Sequence, residues 1–213
     1  YEDWDAKEHA FSFGADGYPY AAYFGSPEAR LESREFESDS YSDLATRFTL
    51  GEVKGKAELV LAVAASMKSQ AEALEAYHRL LAHPRQLQAE TEAFYRDYLA
   101  QGVQLSLPDA GLEQAYEWSR ISMRKGMVDN PLLGRGLVAG YGPWKGVYRP
   151  GFAWFFGRDS FWTSFALDST GDFASARAAI AFVARFQRDD GKIPHEISQS
   201  ASLVAWFRKF PSG

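Results

Sequence analysis

The chain has 213 residues, 24% charged and 46% apolar, with a net charge of −5. That length allows one large domain or two small ones with a buried core. The acidic balance argues against nucleic acid and against an anionic membrane surface as partners. There is no cysteine, which excludes a disulfide framework, a thiolate metal site and a thiol nucleophile. A run of about 18 apolar residues, which a membrane-spanning helix needs, is also missing.

The first 66 residues or so read as strands. Ala45–Leu50 alternates in character as a half-buried strand does, and Glu58–Val63 is a short apolar run consistent with a strand buried on both faces. Gly14, Gly17-Tyr18-Pro19, Gly25-Ser26-Pro27, Gly51 and Gly55 punctuate these runs as turns. The expectation is a β-sandwich-like region over 1–67.

Helical composition follows. Ala71–Ala82 is rich in Ala, Leu and Glu, and Pro84 suits the first turn of a helix reaching about Ala100. These make a helical linker over 68–108. Asp109 is an expected N-cap for a helix over Ala110–Val128, with Leu112, Tyr116, Ser119 and Met123 on one face. Asp129–Gly157 reads as a long loop, and its aromatic content points to an ordered, functional one. Helices are expected over Ser160–Thr170 and Phe173–Arg188, joined by Gly171-Asp172 as C-cap and N-cap. Phe173, Ala176, Ile180 and Val183 form the expected apolar stripe of the second. Lys192–Gln199 reads as a loop and Ala201–Lys209 as a further helix start.

The densest chemical signal is Phe155-Phe156-Gly157-Arg158-Asp159-Ser160. Aromatic surfaces lead into an adjacent cation and anion at the mouth of a helix. Flat rings stack on the C–H face of a sugar, and charged groups make strong, directional hydrogen bonds to its hydroxyls. The competing reading makes Asp159 the N-cap of a helix that starts at Ser160. A capping aspartate can still offer an oxygen to a ligand, so the two are compatible.

Trp154–Trp162, then Thr170-Gly171-Asp172 and Asp190-Gly191-Lys192-Ile193-Pro194, resemble the catalytic domain of the amylo-α-1,6-glucosidase (glycogen debranching) group of glycosidases. More distantly, they resemble the Trp-x-Arg-Asp-Ser segment of glucoamylases. The resemblance is specific over about 148–211 and loose before it. It implies an α+β chain: a β-sandwich remnant, then the first αα-hairpins of an (α/α)6 toroid over 109–213. It also implies inverting hydrolysis of α-glucosidic linkages in an oligo- or polysaccharide, with Arg158 and Asp159 holding the hydroxyls of the glucosyl unit. Phe156 stands where glucoamylases carry a tryptophan, so the flat face is kept and the indole N–H is lost. Trp154 and Trp144 are the expected sugar platforms among the aromatics of this stretch. Other glycans (trehalose, rhamnosides, mannosides) are substrates of related toroids, and a non-catalytic carbohydrate-binding module is the alternative of another class.

Inverting hydrolysis needs an acid and a base roughly 6.5–9.5 Å apart. Among nearby acids, Asp168 reads as solvated on a helix face, and Asp189 and Asp190 as ordinary turn residues. His195-Glu196 follows in a loop that, by the resemblance, lines the pocket; a plain surface loop is the alternative. Glu196 is therefore the catalytic candidate within this chain, while the family's general acid and base lie in later hairpins, beyond Gly213. Both ends are accordingly expected to be cuts within a longer protein. With no leader legible at Tyr1, only the absence of cysteine bears on location, and it fits cytoplasm. His195–Gln199 lacks the second histidine of a zincin helix, and the glycines of Gly134–Gly140 do not fit a nucleotide loop. No metal or organic cofactor is implied, and Ser160 has no evident histidine partner for a serine-hydrolase site.

Overall fold

A computed structural model describes residues 2–28, 30–37, 43–141 and 152–200. The chain is mixed α+β, an antiparallel sheet followed by five helices and small hairpins. It divides into two compact units, Tyr1–Glu92 and Ala93–Gly213.

The first unit contains a four-stranded antiparallel sheet ordered β1 (Glu2–Asp5), β2 (Ala10–Gly14), β3 (Ala21–Gly25) and β6 (Ala62–Ser66). A separate hairpin pairs β4 (Arg30–Glu37) with β5 (Asp43–Thr49). Alternation along β3 and β6 places Ala21, Tyr23, Ala62 and Ala64 on one buried face. Helix α1 (Gln70–Ala82) covers that face with Ala73 and Tyr77, whose ring lies 5.9 Å from that of Tyr23. A helix, not a second sheet, thus closes this core where the sequence suggested a sandwich. Small residues on the strands leave room for it. Ser69 caps α1 by accepting from the Glu72 N–H. The opposite face carries Trp4, Phe11 and Phe24, and Phe48 of β5 reaches Trp4 and Phe24.

The expectation of a doubly buried strand over Glu58–Val63 is corrected. The strand is Ala62–Ser66, its burial alternates, and Leu59, Leu61 and Val63 are exposed. β6 lies at the end of the strand order with only one face against α1, so half of its apolar residues meet solvent.

Helix α2 (Pro84–Gln101) leads into the second unit, and α3 (Ala110–Lys125) follows, capped by Asp109 through the Gly111 and Leu112 N–H groups. The α3 helix stops three residues short of the expected Val128, because Met127 already begins a strand. The proposed stripe on α3 is not its buried face: Leu112 is 58% exposed, and the buried residue is Arg120. The Arg120 guanidinium donates to the carbonyls of Leu99 and Val103, both at 3.0 Å, at the C-terminal end of α2. A helix C-terminus leaves carbonyls unpaired and carries partial negative charge, which is why a cation is tolerated there in the interior.

The segment expected to be one long loop contains a hairpin, β7 (Met127–Asn130) with β8 (Gly134–Leu137), and the short strand β9 (Phe155–Phe156). Helices α4 (Gly157–Ser169) and α5 (Phe173–Ala184) form an αα-hairpin. Gly171 has φ +87°, and Asp172 accepts from the Ser175 N–H at 3.0 Å, as the sequence reading requires. The buried side of α5 is Ala176, Ala179, Phe182 and Val183, while Phe173 and Ile180 of the expected stripe are exposed. That stripe followed the right period but was rotated on the helix. β10 (Glu196–Ile197) returns to pair with β9. The expected helix over Ala201–Lys209 lies outside the described residues.

Candidate functional site

The site is organised by the antiparallel pairing of β9 with β10, in which Phe155 opposes Ile197 and Phe156 opposes Glu196. Opposed side chains share a face of the ladder. Phe155 and Ile197 point inward and are fully buried, and the Phe155 ring lies 4.2 Å from that of Phe182. Burying a side chain of this size contributes about 1.5–3 kcal/mol, so the inner face anchors the ladder. Phe156 and Glu196 occupy the other face, half-buried. The Arg-Asp motif and the His195-Glu196 pair, distant in sequence, are therefore neighbours.

Gly157 makes this approach possible. A Cβ there would lie 2.6 Å from the Pro194 carbonyl oxygen and 2.7 Å from Ile193 Cγ2. The Gly157 N–H donates to the His195 carbonyl at 3.2 Å. The glycine of the motif is thus explained by backbone contact with the very loop that carries His195 and Glu196.

Helix α4 begins at Gly157, so Asp159 sits inside its first turn and is not the N-cap; Phe156 takes that position without a side-chain cap bond. The capping expectation fails because the helix starts three residues before Ser160, which is instead buried and donates to the Leu137 carbonyl at 3.3 Å. Arg158 and Asp159 lie 3.9 Å apart (Nε to Oδ2), with side chains 77% and 35% exposed. An acid in the first turn complements the helix dipole, whereas a cation there opposes it. Phe152, Phe156 and His195 form a run of rings where the chain enters α4, at 6.2 Å and 5.5 Å between successive centroids.

Asn130 and Gln199 hold the ladder from outside. Asn130 Nδ2 donates to the Gln199 backbone carbonyl at 2.8 Å, and Asn130 Oδ1 accepts from the Leu132 and Leu133 N–H groups. Gln199 Nε2 reaches the Ala153 carbonyl at 2.6 Å. The β7–β8 hairpin, the approach to β9 and the exit of β10 are stapled together by two amides. Neither was identified from sequence. Asn130-Pro131 is a turn signal, but nothing local marks Gln199.

Of the remaining candidates, Trp154 is half-buried and its carbonyl accepts from the Ala139 N–H at 3.1 Å. Trp144 lies outside the described residues. Asp168 is exposed on α4, as read. Asp190 sits in a turn, where the Lys192 N–H holds its carboxyl below the usual range. Surface depressions of this unit include two lined by described residues. One of about 590 Å³ is lined by Gln187, Arg188, Asp189 and Asp190; the other, of about 460 Å³, lies against Asp168, Phe173, Ala176 and Ile180. Among the described residues there is no cluster of three or more His, Asp or Glu able to hold a metal, and no helix long and apolar enough to cross a membrane.

No protein-family model, curated protein or solved structure matches this chain.

Proposed function

We propose that the second unit is part of a glycoside hydrolase acting on α-glucosidic linkages of an oligo- or polysaccharide. The observation that carries this reading is the β9–β10 pairing, which sets Phe156 against Glu196 and beside the His195 ring, at the point where the chain enters the helix carrying Arg158 and Asp159. Arg158 and Asp159 hold sugar hydroxyls and so position the ring, a task of orientation more than of bond-making. Phe156 is the stacking surface. Glu196 is the carboxylate of this face proposed for proton transfer, with a second carboxylate across the sugar activating water.

Two features support a binding role over a purely structural one. Arg158 is mostly exposed at the end of a helix where a cation is unfavourable, and its ion pair with Asp159 is long. The α4–α5 hairpin with its minimal Gly171-Asp172 link is the kind of unit from which an (α/α)6 toroid is assembled, which is what the resemblance implies. Release of reducing sugar from α-glucans by the longest native form of the protein tests the reading. Asp159→Asn is expected to lower kcat/KM by about 10-fold to 100-fold, the worth of a charged hydrogen bond. Activity untouched by that change rejects the role.

The exposure of Arg158 and Phe152 at this surface favours a second reading: carbohydrate binding without catalysis. Saccharide binding with no turnover of any aryl glycoside in a panel of sugars selects it. The same panel separates glucosides from rhamnosides and mannosides.

A further inference from the structure

We propose that the β2–β3 turn of the first unit is a second saccharide-binding element, in which Tyr18 and Tyr20 together form one stacking block for a sugar ring of a neutral polysaccharide. The proposal goes beyond the site on the second unit and does not depend on it.

Tyr18 is 67% exposed and Tyr20 39% exposed. A single exposed tyrosine needs no explanation, but these two are a fixed pair. Their ring centroids lie 5.6 Å apart with planes 34° from parallel, so the two rings pack against each other as one aromatic block able to cover the C–H face of a sugar. The presentation is rigid. The Tyr18 N–H closes a turn onto the Ala15 carbonyl at 3.1 Å, Gly17 supplies φ +79°, and Pro19 fixes the backbone between the two rings. β2 and β3 are the central strands of the sheet, so the turn stands on its best-supported part. Rings held this way lose little side-chain freedom on binding.

Charge narrows the ligand. From Ala10 to Glu28 the chain has no Lys or Arg, and Asp16 within the turn is exposed. Lys68, which follows the β6 end paired with Ala21, is engaged with Glu72 at 3.2 Å. A phosphate, nucleic acid or anionic lipid finds no cation in the turn itself. A neutral ligand with an apolar C–H face and many hydroxyls meets two rings and an acceptor carboxylate.

The test is affinity electrophoresis of the whole chain through gels containing a soluble α-glucan or a soluble β-glucan. Ring-proton chemical shifts of Tyr18 and Tyr20 on addition of the matching oligosaccharide give a second readout. Retardation is expected for the wild type and for Asp159→Asn; in the Asp159→Asn background it is kept by Tyr18→Phe, with affinity about tenfold weaker in Tyr18→Ala and in Tyr20→Ala. Failure of both glucans to retard the wild type overturns the proposal. So does retardation unchanged in the double alanine variant of the Asp159→Asn chain, or self-association that the alanine variants abolish. Because the wild-type ring shifts do not rely on any variant folding, poor folding of a variant leaves the outcome decidable. Retention in Asp159→Asn separates this element from the site on the second unit.

Discussion

Phe156 and Glu196 face each other across the β9–β10 ladder, and the glycine that follows Phe156 is what lets the two strands meet. This pairing joins two motifs that look independent in the sequence.

Gly157→Ala tests that relationship. The added methyl would press on the Pro194 carbonyl and Ile193, and backbone cannot swing aside as a flexible side chain can. Overpacking of this kind costs about 1–3 kcal/mol. Urea denaturation is expected to show that loss. In the same variant, the ring contact between Phe156 and His195 is expected to weaken, as reported by their aromatic proton shifts.

Gln199→Ala removes the amide that reaches the Ala153 carbonyl and one partner of Asn130. The expected loss is about 1–3 kcal/mol for buried groups left unpaired. Asn130→Ala is expected to cost at least as much, because the Leu132 and Leu133 N–H groups also lose their acceptor. The double variant is expected to fall short of the sum, since both act in one network; a full thermodynamic cycle checks this.

Arg120→Leu strips cationic donors from the Leu99 and Val103 carbonyls in the interior of the second unit. The Leu99 carbonyl keeps Gln104 Nε2 and the Val103 carbonyl keeps the Tyr116 hydroxyl as donors, so the expected loss is that of the charged hydrogen bonds, about 1.5–3 kcal/mol. Arg120→Lys is expected to rescue only in part, because an ammonium cannot reproduce the planar fork that spans these carbonyls. Thermal unfolding of the two variants side by side measures the difference.

The pH dependence has two ends. Burial pushes the phenols of Tyr77 and Tyr98 up to about 12, with the Asp172 carboxylate adding to the effect at Tyr98. An unfolded chain ionises tyrosine near about 10. It therefore releases these protons first, and this stability is full below about pH 10 and is lost as pH rises towards 12. At the acid end, the His78 hydrogen bond and Lys7 hold the Glu8 carboxyl below its ordinary value. That contribution is present above the unfolded value and is lost as pH falls through the folded one. Tyr98→Phe is expected to flatten the alkaline limb and Glu8→Gln the acid limb in denaturation curves taken across the pH range.

Much of the helical part was legible because its signals are local. Asp109, Asp172 and Gly171 cap where their side-chain and backbone chemistry says they cap. Errors arose where tertiary partners decide. Period alone fixes that α5 has an apolar side, but Phe182 and Ala179 became that side because β8 and Phe155 lie against them. Edge placement of β6 and the covering of its sheet by α1 are likewise invisible in a short apolar run. For the candidate site, the residue types at Arg158, Asp159, His195 and Glu196 were legible as chemistry. Their juxtaposition was not, since it depends on a ladder of two residues per strand and on amides at Asn130 and Gln199.

Under the proposed function, Arg158 and Asp159 hold sugar hydroxyls beside Phe156. Isothermal titration of the protein with a linear α-glucan oligosaccharide, repeated for Arg158→Ala and Asp159→Asn in a Tyr18→Ala/Tyr20→Ala background, tests it most directly. Binding is expected in that background, weakened about 10-fold to 100-fold by either change. Binding indifferent to both changes, or absent before they are made, would contradict it.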